Sequence, residues 1–401
     1  MKKILLASAA SAAVLASGGA ALADAHANTV TLGVLLGFTG PAESLAPGMA
    51  AGAKLAMAEV TESGALLGGA SVSSVEADST CVDASAAVAS AERLITADSV
   101  DGVIGALCSG ATIAALTNVA LPNGMVMISP SATSPALTTL EDNGLFFRTS
   151  PSDARQGVVM TEVILERGIT EVAVTYTNND YGRGLADSFQ AAFEAAGGTV
   201  TLVASHEDGR ADYSAEVGSL GAAGGDALVV VGYVDQGGPG IIRAALDTGA
   251  FDTFVLPDAM VSQTLMDAFG SELDGSFGQV PGTDSAGAAV YVDLAAGAGF
   301  DGSAPYSGES YDATALMLLA MQAAGSKAPA DYVQHVLDVA NAPGTPIGPG
   351  ELGRALELLA AGEDIDYVGA TAVELIAPGE AAGSYREFIV ENGEYVTVQF
   401  R

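Results

Sequence analysis

The amino-acid sequence predicts an α/β protein with two doubly wound parallel sheets. Apolar strands alternate with helices from residue 30 onward, and the alternation breaks near residue 150 before it starts again. About 378 of the 401 residues remain after an N-terminal leader, which is too long for one typical hydrophobic core. Together these observations predict two similar α/β halves.

The first 23 residues have the features of a secretory signal peptide. Lys2 and Lys3 form a charged start, an apolar stretch follows at 4–15, and Ala21-Leu22-Ala23 matches an A-x-A cleavage site. Ala25-His26-Ala27 is a second candidate for cleavage. The apolar stretch is short for a bilayer span, so the sequence favours export over a membrane anchor.

In the first half, apolar segments are predicted strands and the Ala-rich segments between them are predicted helices. Strands are predicted at 30–36, 72–78, 102–107 and 125–128. Helices are predicted at 48–63 and 83–97, and a third begins at Ser109. Consecutive βαβ units of this kind are typical of a parallel sheet.

A strand at 145–148 and a crossing at Thr149-Ser150-Pro151 precede the second half. Its strands are predicted at 171–176, 199–204, 227–231 and 253–256, and its helices at 153–166, 181–196, 213–223 and 240–248. The pattern loosens between 281 and 302, helices follow at 311–324, 331–340 and 351–361, and the tail has short strands and turns. A return of the chain to the first half is one interpretation of the loosened region, although composition alone does not establish it.

The formal net charge of −34 excludes nucleic acid as a partner, because the surface repels phosphate backbones. The acidic residues are scattered along the chain. A solvated acidic surface suited to salty surroundings is therefore favoured over a surface built for a basic substrate.

Cys81 and Cys108 are the only cysteines, and in an exported protein an even number favours a disulfide over two buried free thiols. A metal site is less favoured, because the histidines at 26, 206 and 335 have no ligand spacing. Enzyme signatures are also absent: the sequence has no phosphate-binding loop, no dinucleotide fingerprint after the first strand, no G-x-S-x-G and no H-E-x-x-H. A binding protein without a cofactor is favoured over an enzyme.

The stretch Gly105–Pro135 contains two junctions where a strand ends in small hydroxyl residues. One is Cys108-Ser109-Gly110, and the other is Ser129-Pro130-Ser131-Ala132-Thr133. Strand ends of an open parallel sheet are the usual place for ligands, and free N–H and hydroxyl groups there suit a carboxylate. The stretch predicts half of a small-molecule pocket.

The CSG turn, the segment ISPSATSPALT and the segment TNNDYGRGLADSFQAAF resemble the Leu/Ile/Val-binding proteins of ABC transporters, which are type I periplasmic binding proteins. The resemblance implies two discontinuous Rossmann-like domains joined by hinge strands. Domain one would comprise residues 24–149 and 281–375, and domain two residues 150–280 and 376–401. It also implies that Cys81 and Cys108 form a disulfide.

The resemblance further implies a set of ligand-binding residues, namely Ser109, Ser131, Thr133, Tyr181, Tyr233 and Asp258. Ser109 would bind a carboxylate, the segment at 131–133 an amino-acid head group, the tyrosines would line the pocket, and Asp258 would pair with an ammonium. Structural alternatives remain: Ser109 as a helix cap, Thr133 or Asp258 as turn formers, and Tyr181 as a packing residue.

The implied function is a monomeric periplasmic component that closes on an amino acid and delivers it to an inner-membrane ABC permease. A ligand sensor, or a binder of an amide, a urea-like compound or an aromatic carboxylate, would share the fold. The family often has a tyrosine after the first strand, whereas this chain has Leu45 preceded by Glu43 and Ser44. Glu43 would either admit a polar or cationic ligand or face water.

Overall fold

The computed structural model describes residues 29–401, so the predicted signal peptide lies outside the described residues. Two seven-stranded sheets with helices packed against them form the molecule. Most strand pairs are parallel, and the central strands are buried along their whole length, as sheets covered on both faces require. The predicted α/β fold with two doubly wound sheets is confirmed.

The first sheet has the strand order β13-β14-β5-β4-β3-β1-β2. Its strands are β1 (Thr29–Leu36), β2 (Ser71–Asp78), β3 (Gly102–Gly105), β4 (Met127–Ser129), β5 (Phe146–Arg148), β13 (Leu375–Ile376) and β14 (Glu380–Ala381). The last two strands show that the chain returns to this sheet near its C-terminus, and their pairing extends this half to Ala381.

The second sheet has the strand order β16-β15-β10-β9-β8-β6-β7. Its strands are β6 (Glu171–Thr177), β7 (Thr199–His206), β8 (Ala227–Val231), β9 (Phe254–Leu256), β10 (Phe277–Pro281), β15 (Tyr385–Glu391) and β16 (Glu394–Phe400). The two longest tail strands form an antiparallel edge beside β10. A separate small pair joins β11 (Thr345–Ile347) to β12 (Ile365–Tyr367).

The larger helices lie between the strands, and all except Gln263–Phe269 and Ala286–Gly297 lie close to predicted positions. They are Ala46–Ser63, Ala84–Glu92, Ser109–Ala115, Asp153–Glu166, Asp180–Ala195, Ser214–Ala223, Gly237–Thr248, Gln263–Phe269, Ala286–Gly297, Ser307–Ala324 and Leu352–Ala360. Short helices occur at Leu121–Asn123, Pro135–Thr139, Pro329–Tyr332 and Val336–Ala340. None of the helices in residues 29–401 is both long and apolar enough to cross a membrane.

The helix Ala286–Gly297 lies where the sequence pattern loosens, and the sequence did not predict it. It is rich in Ala and Gly and buries only Tyr291 and Ala295, so no apolar stripe marks it. The helix Ser307–Ala324 begins four residues before the predicted start at Tyr311, and it is buried on every side as far as Met321. A helix buried all round has no amphipathic period to reveal its ends.

The chain passes between the two halves three times, after β5, after β10 and after β14. Arg148 at the end of β5 is fully buried and forms an ion pair with Glu380 of β14 at 2.5 Å. The same guanidinium donates to the carbonyls of Ala132 and Ser134, each at 3.0 Å. Arg148 thereby holds the loop after β4 against the crossing segments.

Candidate functional site

A narrow cavity of about 10 Å³ lies where the two halves meet. It is lined by Leu45, Leu107, Cys108, Ser109, Ser131, Tyr181, Tyr233, Asp258, Ala259 and Tyr306. Each of these residues is at most 8% exposed. This volume leaves room for little more than one water molecule, so a larger ligand requires the two halves to move apart.

Ser109 and Ser131 form one wall, and both follow the ends of adjacent parallel strands. Ser109 is the first residue of its helix, and its hydroxyl oxygen accepts a hydrogen bond from the Ser134 N–H at 3.1 Å. The Ser131 hydroxyl donates to the Leu107 carbonyl at 2.8 Å. The disulfide between Cys81 and Cys108 fixes the start of this wall to the segment after β2.

Thr133 lies beside this wall but is not among the residues that line the cavity. Its hydroxyl is buried and has no hydrogen-bond partner among the described residues, and its carbonyl accepts from the Asp153 N–H at 2.8 Å. The structure therefore brings five of the six expected ligand residues around one cavity and places Thr133 next to them.

Tyr181 and Tyr233 come from the second half. Their rings stack at a centroid distance of 5.3 Å. Tyr181 lies in the first turn of the helix Asp180–Ala195, which begins with the Asn179 side chain accepting from the Gly182 N–H at 2.9 Å. Tyr233 follows β8. The stacked pair gives the cavity a rigid, largely apolar wall.

Asp258 stands opposite the serines, two residues after the end of β9. Its carboxylate accepts from the Tyr181 hydroxyl at 2.8 Å, from the Gln156 amide at 3.1 Å and from the Tyr306 hydroxyl. Burial raises the pKa of Asp258, while these hydrogen bonds work in the other direction. Burial and the nearby Asp258 charge also raise the pKa of both tyrosines, which keeps them protonated as donors.

Asp153 is a second buried carboxyl near Asp258, and sequence reasoning missed it. Neither of its oxygens has a hydrogen-bond partner among the described residues. The Thr133 hydroxyl is close enough to lower its pKa slightly, but burial and the Asp258 charge raise that pKa well above its usual value. Asp is common at the start of a helix because it caps the first turn and interacts favourably with the helix dipole. The sequence therefore does not distinguish Asp153 from an Asp that only stabilises a helix.

Tyr306 also lines the cavity, and the sequence analysis did not identify it. It has a left-handed backbone with φ 63°, immediately before the helix Ser307–Ala324. A tyrosine in this conformation is strained, and such residues persist where the surrounding structure holds them and often lie at functional sites. It lies in a loop that follows a helix hidden from pattern analysis, so the sequence gives no reason to select it.

The loop after β1 covers the cavity. Leu45 lines it, while Glu43 is exposed, so of the two expectations for Glu43 the structure has it facing water. Asp235 of the second half forms two hydrogen bonds with this loop. The Asp235 carboxylate accepts from the Ser44 N–H at 2.8 Å, and the Asp235 backbone N–H donates to the Pro41 carbonyl at 3.0 Å. These contacts hold the two halves together over the cavity.

The arrangement separates two chemical surfaces. The Ser109 and Ser131 hydroxyls lie on one wall, the Asp258 carboxyl lies on the other, and Leu45, Leu107 and Ala259 supply apolar surface. These lining groups match the chemistry of a small zwitterion with an apolar side chain. Within residues 29–401, no group of three or more His, Cys, Asp or Glu side chains is placed to hold a metal ion.

A model of the family described as periplasmic binding protein matches residues 29–355. The Leu/Ile/Val-binding protein homolog 1 of Brucella abortus is 32% identical over 340 residues, which cover 83% of this chain and 88% of the relative. The crystal structure of leucine binding protein LivK from Thermotoga maritima has a TM-score of 0.78 at 22% identity and covers 92% of this chain and 98% of its own. A solute binding protein of an ABC transporter from R. palustris, in complex with 4-hydroxybenzoate, has a TM-score of 0.73 at 19% identity, with 93% and 97% covered.

Proposed function

The chain belongs to the periplasmic binding protein family, and from this premise we propose that it captures a branched-chain or related amino acid for an ABC importer. The relative from Brucella abortus carries the name of a Leu/Ile/Val-binding protein. The protein would act in the periplasm as a monomer, release its ligand to an inner-membrane permease and carry out no chemical reaction.

One observation carries the choice of an amino acid: the buried Asp258 carboxyl lies in a cavity wall that has no cationic side chain, and its charge helps to raise the pKa of the nearby buried Asp153. Buried charges are normally paired, so a cation is missing from this arrangement. The ammonium group of an amino acid would supply it.

The remaining groups fit the other parts of such a ligand. Ser109 and Ser131 would receive the carboxylate on the opposite wall, and Thr133 would support the head group from beside it. Tyr181 and Tyr233, with Leu45, would enclose an apolar side chain. Because the contacts come from both halves, the ligand would favour the closed arrangement over an open one.

A thermal-shift screen tests the ligand class. Each of the common amino acids, together with benzoate, 4-hydroxybenzoate, acetamide and urea, is added to the purified protein. We expect leucine, isoleucine or valine to raise the melting temperature, with about 2.7 kcal/mol of stabilisation at a hundredfold excess over the dissociation constant. A shift with a benzoate or an amide and with no amino acid would contradict the proposal.

Mass spectrometry of small molecules released from the protein gives an independent check. The protein is purified without added ligand and denatured, and the released fraction is compared with that from a variant in which Asp258 is replaced by Asn. We expect an amino acid in the first sample and its loss from the second. An uptake assay with the labelled ligand, in a strain lacking the gene, then distinguishes transport from a sensor role. Loss of uptake indicates transport, and unchanged uptake indicates a sensor.

A further inference from the structure

A second cavity opens behind the cleft, on the side where the chain passes between the halves. Its volume is about 160 Å³, and its walls come from both halves. Val280, Arg386 and Phe400 belong to the second sheet, whereas Ala304 and Gly308 precede or begin the helix Ser307–Ala324. Tyr306 belongs to the walls of both cavities and separates this one from the cleft.

Arg386 is the cationic side chain in the wall of this cavity. It is partly buried, and loss of hydration lowers its pKa. Within residues 29–401 its guanidinium makes no ion pair and no hydrogen bond, although an exposed carboxylate, Asp301, is near enough to act on its charge. The next arginine in the chain, Arg401, differs sharply: it binds Glu387 at 2.6 Å and also contacts Glu166.

The absence of a partner for Arg386 is informative in a chain with 48 acidic and 14 basic residues. Most cations in the described part of the chain have an acidic partner within 4 Å, as Lys54, Arg167 and Arg243 do. A guanidinium presents a planar fork of donors that matches a carboxylate, and desolvation strengthens that interaction. The fork of Arg386 is left open towards the cavity.

The surroundings of Arg386 are apolar on one side and polar on the other. Phe400 is its cross-strand partner, and Val292 remains 39% exposed on the helix across the cavity. Thr283 and Glu309 lie in the same wall. Burial raises the pKa of Glu309 to about 8, so at neutral pH its carboxyl is mostly protonated and adds a donor rather than a competing charge.

We propose that this hinge cavity is a second ligand site, distinct from the cleft, which takes a small organic monocarboxylate with an apolar body. Arg386 receives the carboxylate, Thr283 donates to it, and Phe400 and Val292 cover the apolar part. One guanidinium balances one negative charge, so a monocarboxylate fits better than a phosphate dianion.

Equilibrium dialysis with labelled cyclohexanecarboxylate tests the site. We expect saturable binding below about 10 mM, which corresponds to a weak but specific site. Arg386→Gln is expected to weaken this binding at least tenfold, whereas Arg210→Gln, which removes one exposed positive charge elsewhere, leaves it unchanged. Asp258→Asn, which alters the cleft, is also expected to leave it unchanged.

The neutral analogue cyclohexanecarboxamide tests the charge without any variant, so the result does not depend on the folding of Arg386→Gln. We expect it not to compete with the carboxylate. No saturable binding, equal binding by Arg386→Gln, loss of binding in Asp258→Asn, equal competition by the carboxamide, or stronger competition by inorganic phosphate would each overturn the proposal.

Discussion

Replacing Asp258 by Asn is expected to stabilise the ligand-free protein and weaken its ligand binding at the same time. Asn has nearly the shape of Asp, and its carbonyl oxygen can still accept from Tyr181 and Gln156. The substitution removes a buried carboxyl whose charge helps to raise the pKa of Asp153, and whose own pKa is raised by burial. Relief of this repulsion and of the desolvation of Asp258 is expected to add on the order of 1 kcal/mol or more to the free energy of unfolding at neutral pH.

We expect Asp258→Asn to cost more binding free energy than it adds to the free energy of unfolding. If Asp258 pairs with the ammonium of an amino acid, removing its charge is expected to cost about 2–5 kcal/mol of binding free energy. Denaturant titration measures the first effect and calorimetric titration with the best amino acid from the thermal-shift screen measures the second. Asp252→Asn, an exposed residue just before the same strand, is the matched control and should change neither quantity. An unchanged affinity in Asp258→Asn would refute the reasoning, as would a large loss of stability.

Three further predictions concern other parts of the molecule. Burial raises the pKa of Glu309 from 4.5 to about 8, so the folded state binds more protons than the unfolded state between these values and stability falls as the pH rises through that window. Glu309→Gln is therefore expected to raise the free energy of unfolding by about 3–5 kcal/mol at pH 9 and not at pH 4.5, and an equal gain at both would contradict this. Replacing Cys81 and Cys108, which are 27 residues apart, by Ser is expected to cost about 3–4 kcal/mol in denaturant titrations, with reductant destabilising only the parent protein. Asp235→Ala is expected to weaken ligand binding roughly fivefold by releasing Ser44, without a change in melting temperature. The control Asp226→Ala, which removes an exposed acid far from this contact, should have no effect on calorimetric affinity.

The fold could be predicted from the sequence because its strands are short, apolar and separated by regular helices. The strand Ala227–Val231 and the helix Asp153–Glu166 have the bounds that the sequence predicts. The helix Ala286–Gly297 was missed for the opposite reason, since Ala and Gly on all its faces leave no period to detect. The returning strands Leu375–Ile376 and Glu380–Ala381 are too short for their pairing to be inferred from composition.

The site was predictable where it is built from the ends of consecutive parallel strands. Ser109, Ser131, Tyr233 and Asp258 each follow such an end, so the topology brings them to one edge of their sheets. Tyr306 comes from a loop far along the chain, and only its tertiary packing carries its hydroxyl to Asp258. Whether these residues bind a ligand stays a prediction from the family resemblance and from the chemistry of the cavity.

Calorimetric titration with leucine and two analogues tests the central claim most directly, because each analogue lacks one charge of the head group. In 4-methylpentanoate the ammonium is absent, and in leucinamide the carboxylate is replaced by an amide. If the serine wall and the Asp153–Asp258 pair recognise opposite ends of one zwitterion, leucine binds and each analogue loses about 2 kcal/mol or more of binding free energy. Binding of 4-methylpentanoate as tight as that of leucine would contradict the account.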